Sequence, residues 1–361
     1  MTAHFFAQSY AEARDKFFAA ARSCGLGIET HVHPRPGRDG EMLAMDVARA
    51  GPVDAKSLLV VSSACHGVEG FCGSGVQGAL LADAQWRRAA TDAGVAVLYI
   101  HALNPYGFSW WRRTTHENVD LNRNFRDFAA PAPVNAAYDE LAAHLVPEAW
   151  PPDAATVAAI GRFVAVHGER ALQQAMSGGQ YKHADGLFFG GTEPTWSHAT
   201  LRQVLRQHAT RCERLGWIDL HTGLGPNGVG ERIFACRDDP AAFARARSWW
   251  GEITSIYDGS STSALLTGLM WLAAYDECGQ AEYTGLALEY GTKPQQDVME
   301  ALRADQWLEN HPDADDATRR AIKQQVRDAF YTDTDEWKDR IVAQGIDAAY
   351  GAVRGLASPA H

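Results

Sequence analysis

Apolar and polar positions follow two rhythms along this chain. Leu58–Ser62, Val95–His101, Leu215–Leu220 and Thr284–Leu288 are apolar almost throughout and rich in Val, Leu and Ile. Short runs of this kind, bounded by small or polar residues, read as strands buried on both faces. Between them the spacing turns helical. Phe5, Phe6, Tyr10, Phe17 and Phe18 recur among Glu12, Arg14, Asp15 and Lys16, predicting an amphipathic helix within residues 1–21. Gly73–Ala93 reads as a second helix, burying Val76, Leu80, Leu81 and Trp86. Residues 28–50 read as a strand pair around the Pro34–Gly40 turn. Beyond Pro294 the tail is acidic and helical, with Val298, Leu302, Trp307, Ile322, Val326 and Phe330 on its apolar side and Asp313–Asp316 as a solvated turn. Strand, helix, strand in succession favours a parallel or mixed sheet with helices on its faces.

The segment 129–215 fits this alternation less well. Ala- and Pro-rich stretches separate helices around 135–146, 153–176 and 198–214. Between the last two, Gly178–Thr192 is too rich in glycine and aromatics for a helix and too mixed for a disordered linker, so it reads as a loop near a functional site. Bulk numbers exclude several classes of function. A length of 361 residues with 46% hydrophobic content supplies a large core. A net charge of −11 with no dense basic cluster argues against nucleic acid as a partner. The amino terminus lacks the basic start and apolar run of a signal peptide, and no apolar run reaches the ~18 residues of a membrane span. Six cysteines are scattered without a Cys-x-x-Cys pair, so the expectation is a cytoplasmic chain with reduced thiols. Oligomeric state is not legible.

Chemistry collects at the strand ends. His66 and Glu69 follow the first strong strand, His221 ends Leu215–Leu220, and Glu289 ends Thr284–Leu288. In open α/β sheets ligands bind outside the carboxyl ends of the strands. Two imidazoles and a carboxylate form the ligand set of a catalytic zinc that keeps a fourth position open for water. Zinc lowers the pKa of that water to about 7, and a nearby carboxylate can take its proton. With Glu69 on the metal, Glu289 is the candidate base. Asp219, sharing a strand face with His221, reads as a supporting acid. Arg112 or Arg113 would supply the cation for a developing oxyanion. Cys65 and Cys72 stand close enough to His66 to serve as ligands, although small buried cysteines are common. Asn118–Phe125, with Trp110 and Trp111, packs cationic and aromatic side chains together, a setting in which arginine grips a planar carboxylate.

In these residues the chain resembles the zinc carboxypeptidases, the carboxypeptidase A-like metallopeptidases. His66-x-x-Glu69 is similar to their first metal motif. Asn104-Pro105-x-Gly107 with Trp111-Arg112-Arg113-Thr114 is similar to their turn and oxyanion arginine. Asp120–Phe125 resembles the stretch whose Asn-Arg pair binds the substrate's terminal carboxylate, and Ile218–His221 the third ligand motif. The resemblance implies an α/β fold with a mixed, mostly parallel eight-stranded sheet between helices. It implies one catalytic domain over 1–361, with an inserted segment near 129–215 and a helical tail over 296–361. It implies one Zn2+ per chain on His66, Glu69 and His221, with Glu289 and Arg112 catalytic. Asn122, Arg123 and Arg113 would bind substrate, and Tyr257 would be the mobile tyrosine over the primed pocket. Gly67 and Val68 depart from the bulkier residues usual in the first motif. His66-Gly67-x-Glu69 and Glu289-x-Gly291 look more like the aspartoacylase and succinylglutamate desuccinylase deacylases, whose β-rich second domain has no counterpart in this helical tail. The leading expectation is a zinc hydrolase cleaving an amide (peptide) bond beside a free carboxylate. The alternatives are a deacylase of small N-acyl amino acids and an inactive module that binds carboxylate-ended peptides.

Overall fold

The computed structural model describes residues 2–358. A helix α1 (Tyr10–Ser23) precedes strands β1 (Ile28–Pro36), β2 (Met42–Ala50) and β3 (Ser57–Ser63). Helices α2 (Gly70–Ala82) and α3 (Ala84–Asp92) lead to β4 (Val95–His101). Then come six helices: α4 (Pro105–Ser109), α5 (Leu121–Asn124), α6 (Ala136–Leu145), α7 (Ala154–His167), α8 (Glu169–Ser177) and α9 (Trp196–His208). The second half contains β5 (Arg214–Asn227), β6 (Gly230–Phe234), α10 (Pro240–Trp250), α11 (Ala273–Glu277) and β7 (Glu282–Gly291). Three helices close the chain: α12 (Gln295–Asn310), α13 (Asp316–Phe330) and α14 (Asp335–Ala357).

Two predicted helices divide. The stretch 73–93 breaks at Asp83, whose side chain leaves α2 to accept the Gln85 and Trp86 amides as the cap of α3. The stretch 153–176 breaks at Gly168, where φ is +86° and only glycine is comfortable.

One sheet runs in the order β1-β2-β4-β3-β5-β7-β6. β4, β3, β5 and β7 are parallel to their neighbours among themselves, while β1, β2 and β6 join antiparallel. The sheet therefore has seven strands rather than the expected eight, and it is mixed rather than mostly parallel. Among the described residues the stretch between β4 and β5 supplies no strand. Pro131, Pro133, Pro147, Pro151 and Pro152 punctuate it, removing ladder donors, and its apolar positions recur at helical spacing. The central strands β3 and β4 are buried at every position, as uninterrupted apolar runs require. Helices α2, α3 and α14 pack on them, and α1 packs on α2. No helix among the described residues is long and apolar enough to cross a membrane.

This strand order decides where the chemistry goes. β3, β5 and β7 are adjacent and parallel, so their carboxyl ends lie side by side. Ser62 is registered with Asp219, and His221 with Glu289.

Candidate metal centre

The centre is built on a tight crossing of two loops. Past Ser63 the chain turns through Ala64 at φ +58°, then Gly67–Glu69 wind into one 3₁₀ turn. A side chain at position 67 is excluded, because a Cβ there would lie 2.0 Å from the Gly107 carbonyl carbon. The glycine inside His66-Gly67-x-Glu69 is thus a packing requirement of this crossing. Across it the Gly67 and Val68 amides donate to the carbonyls of Arg113 (3.1 Å) and Arg112 (2.8 Å), which ties the two loops together. Trp111, Asn118 and Phe188, in the loops around this crossing, also hold positive φ. Such backbone costs of order 1–3 kcal/mol per residue and tends to persist at functional sites.

Three ligand-type side chains converge below the crossing. His66 Nδ1 lies 2.9 Å from one Glu69 oxygen, and His221 Nδ1 lies 3.0 Å from the other. All three residues are buried, and their ligand atoms fall within 4.8 Å of one another. The far nitrogen of each ring has an acidic partner. His221 Nε2 is 2.5 Å from Asp219, which accepts from Ser62 Oγ, itself an acceptor for the Trp217 indole. His66 Nε2 is 3.4 Å from Asp120 and 2.7 Å from Arg113 Nη2. Burial raises the Glu69 pKa, but His66 and His221 overcome it and hold the carboxyl well below the usual range. Burial lowers the His221 pKa, and Asp219 and Glu69 together drive it well above that of an ordinary histidine.

Glu289 faces the same point and is buried. Burial and the neighbouring charge of Glu69 raise its pKa to about 8, while one oxygen accepts the Leu224 amide at 2.9 Å. Arg113 spans the centre, with Nε 2.9 Å from Asp120, Nη1 3.3 Å from Glu69 and Nη2 on His66. Asp120 is held well below the carboxylate range, because Arg113, Arg123 and His66 outweigh its burial.

The predicted substrate residues, with the predicted catalytic Arg112, separate into two groups. Arg113, Asn122 and Arg123 line the cavity that holds His66, Glu69, His221 and Glu289, about 100 Å³ in volume. All three are engaged, Arg113 with Asp120, Glu69 and His66 as above. Asn122 Oδ1 accepts the Met270 amide, and Arg123 donates Nε to the Ser177 carbonyl and Nη1 to that of Asn122. Arg112 and Tyr257 do not line it. The left-handed turn at Trp111 sends Arg112 the other way, to Asp305 (3.5 Å), Glu309 (3.2 Å) and Asn118 (2.9 Å). Tyr257 turns its hydroxyl to the Cys236 carbonyl at 3.0 Å, leaving Ile256 in the lining. Of the two arginines, Arg113 is the one that touches His66 and Glu69.

The donor set fits zinc. Ligands about 2.0–2.1 Å from a tetrahedral ion stand roughly 3.3 Å apart, close to the separations found here, and acids on the outer ring nitrogens are what metal-bound histidines need. Cys65, Asp219 and His221 form a second group of possible ligands. Burial, then Asp219, Asp120 and Glu69, push the Cys65 thiol well above its ordinary pKa, which disfavours the thiolate a metal requires. Cys72 is raised likewise by burial, Glu69 and Glu289. The six thiols form no disulfide.

Sequence reasoning missed three features. Asp120 was legible as an acid flanked by Val119 and Leu121, between Arg113 and Arg123. Phe188 and Ser177 line the cavity from the segment between α5 and β5; Phe188 lies in the Gly178–Thr192 loop that reads as near a functional site but is not singled out there, and Ser177 carried no local signal. Phe188 lies beneath both Arg113 (5.1 Å) and Arg123 (5.5 Å). The apolar lining from Leu266, Leu269, Trp271, Met299, Leu302 and Phe330 comes from distant parts of the chain.

A family model described as a protein of unknown function, DUF2817, matches residues 6–344. No curated protein matches the chain in sequence. Among solved structures, the chain is similar to the carboxypeptidase A of Helicoverpa armigera at 11% identity and TM-score 0.43, over 89% of this chain and 74% of that one. It is also similar to a metallo-carboxypeptidase from Burkholderia cenocepacia at 12% identity and TM-score 0.41, over 95% and 68%. A third is thrombin activatable fibrinolysis inhibitor, at 12% identity and TM-score 0.47, over 94% and 77%.

Proposed function

The chain belongs to the DUF2817 family, and from the geometry of its site we propose that it is a zinc-dependent hydrolase cleaving an amide bond beside a free carboxylate. One observation carries this reading: His66, Glu69 and His221 converge on a single point, and strand register sets Glu289 beside His221. His66, Glu69 and His221 would hold the ion, with Asp219 and Asp120 fixing the two rings from behind. Zinc, when bound, acidifies a water and polarises a carbonyl. Glu289 has one oxygen committed to the Leu224 amide and keeps the other for a proton. Its pKa, raised to about 8 without metal, falls beside a dication, so Glu289 works as a base near neutrality and then returns its proton to the leaving nitrogen. Arg113 supplies positive charge where negative charge develops on the carbonyl oxygen. Arg123, buried in the same cavity lining beside Asp120, would be the cation for a substrate carboxylate. The segment near 129–215 and the tail form one catalytic unit with the sheet in this reading.

The deacylase reading uses the same residues, and the small cavity favours it among short substrates. The test is turnover of N-acetyl-L-leucine and N-acetyl-alanyl-leucine by zinc-loaded protein, each compared with its C-terminal amide. Hydrolysis of the free acids with strong discrimination against the amides is expected. Equal turnover of acid and amide would remove the free carboxylate from the reading.

A further inference from the structure

The segment between α5 and β5 and the loop from 251 to 269 meet above the cavity. Apart from an isolated bridge at Thr254, that loop carries no helix or strand, and it contributes Ile256, Ser263, Ala264, Leu266 and Leu269 to the lining. Unstructured loops longer than about 12–15 residues are uncommon in compact domains and are usually functional. This one is tied down on both sides. From α8, Arg170 Nη2 donates to the Ser263 carbonyl (2.9 Å) and Gln173 Nε2 to the Thr262 carbonyl (2.8 Å). Gln174 donates to the Leu265 carbonyl (2.8 Å) and accepts the Leu265 amide (3.0 Å), so its carboxamide takes the place of a neighbouring strand. On the opposite side Asn122 accepts the Met270 amide, and the Phe125 amide donates to the Gly268 carbonyl. The loop is thus a strap across the cavity, fastened by side chains to α8 and by α5 at its far end.

The other flank is walled as well. A Cβ on Gly223 would lie 3.1 Å from the Phe330 ring and 3.5 Å from Glu289, so that ring stands beside the base. Thr222 Oγ1 pins it there by donating to the Phe330 carbonyl at 2.7 Å. Val298, Met299 and Leu302 of α12 continue the wall.

We propose that the strap latched by Arg170 and Gln174 restricts this site to short acyl substrates, N-acyl amino acids and blocked dipeptides with an apolar carboxyl-terminal residue, and excludes longer peptides. The proposal rests on reading the pocket as an amide-cleaving site. A chain extending from the scissile amide meets the strap on one side and Phe330 with α12 on the other. The apolar side chain is assigned by Ile233, Phe234, Ile256, Ala264 and Ala287, which line the cavity without a charge among them. Arg170 and Gln174 are exposed on α8, so replacing them leaves the core intact.

The test uses N-acetyl-L-leucine, N-acetyl-alanyl-leucine and N-acetyl-tetraalanyl-leucine. Their Kd values for zinc-loaded Glu289→Gln protein are measured by calorimetry, and their kcat/KM values with active protein. With the latch intact, the longest peptide should bind at least about tenfold more weakly than the dipeptide, about 1.4 kcal/mol. In the Arg170→Ala/Gln174→Ala variant the two should converge, and the Leu265 amide should lose its protection from hydrogen exchange. Equal affinity for long and short peptides with the latch intact would overturn the length limit and leave the site reading standing. So would an unchanged ratio, or an unchanged Leu265 amide, in the variant. Failure of all three peptides to bind or turn over would remove both readings.

Discussion

Asp219→Asn separates a supporting acid from a ligand. Asp219 is buried, 2.5 Å from His221 Nε2, and its other oxygen is fixed by Ser62 under the Trp217 indole. The substitution preserves shape and removes charge, so the His221 ring loses one of the two carboxylates that raise its basicity. A hydrogen bond to a charged group contributes about 1.5–3 kcal/mol, and losing an outer partner of a metal-bound histidine costs about 10–100-fold in affinity. Both ranges centre near 2 kcal/mol, so zinc affinity should fall about 30-fold. Competition with a chromophoric chelator at neutral pH measures it. Unchanged affinity would refute the positioning role. Near-complete loss in Asp219→Asn, accompanied by loss in Cys65→Ser, would place the metal in the Cys65, Asp219 and His221 group instead.

Glu289→Gln should retain zinc while kcat falls about 10²–10⁴-fold, the usual cost of removing a positioned base; stopped assays with matched metal content check it. Arg112 is buried between Asp305 and Glu309, which Lys323 also pairs at 2.6 and 2.8 Å, so Arg112→Gln should destabilise the fold by about 1.5–3 kcal/mol through its own lost charged hydrogen bonds, read by denaturant unfolding, with zinc binding kept. Asp333 is pushed up by burial, but Lys338, Gln8 and Arg327 hold it down at about 2, from an ordinary 3.8. A depressed acid stabilises the fold above its unfolded pKa and loses that contribution as pH falls through its folded pKa. Asp333→Asn should therefore cost about 1–2 kcal/mol at pH 7 after allowing for solvent screening, and the gap should close between pH 3.8 and about 2.

The parts of the site legible in sequence are those that depend on strand ends. His66, His221 and Glu289 each follow an apolar run, and a buried run stops where the first polar side chain faces solvent or a ligand. Adjacency of His221 and Glu289 is a property of the order β3-β5-β7, which no local pattern encodes. The assignment between Arg112 and Arg113 failed for a backbone reason. Consecutive residues diverge according to φ at Trp111, a bulky residue in a conformation its sequence does not advertise. Tyr257 turns away and Ile256 lines the cavity instead, an outcome not legible for want of any periodicity in the 251–269 loop. The Gly178–Thr192 loop was legible as near a site, but Phe188 could not be singled out within it, because its contribution depends on how that segment returns to the cavity.

The central claim concerns a metal, and zinc analysis combined with anomalous diffraction at the zinc edge tests it most directly. One zinc per chain is expected, bonded to Nδ1 of His66, a Glu69 oxygen and Nδ1 of His221, and His221→Ala should lose it. Zinc retained in His221→Ala, or an anomalous peak away from these three side chains, would contradict the account.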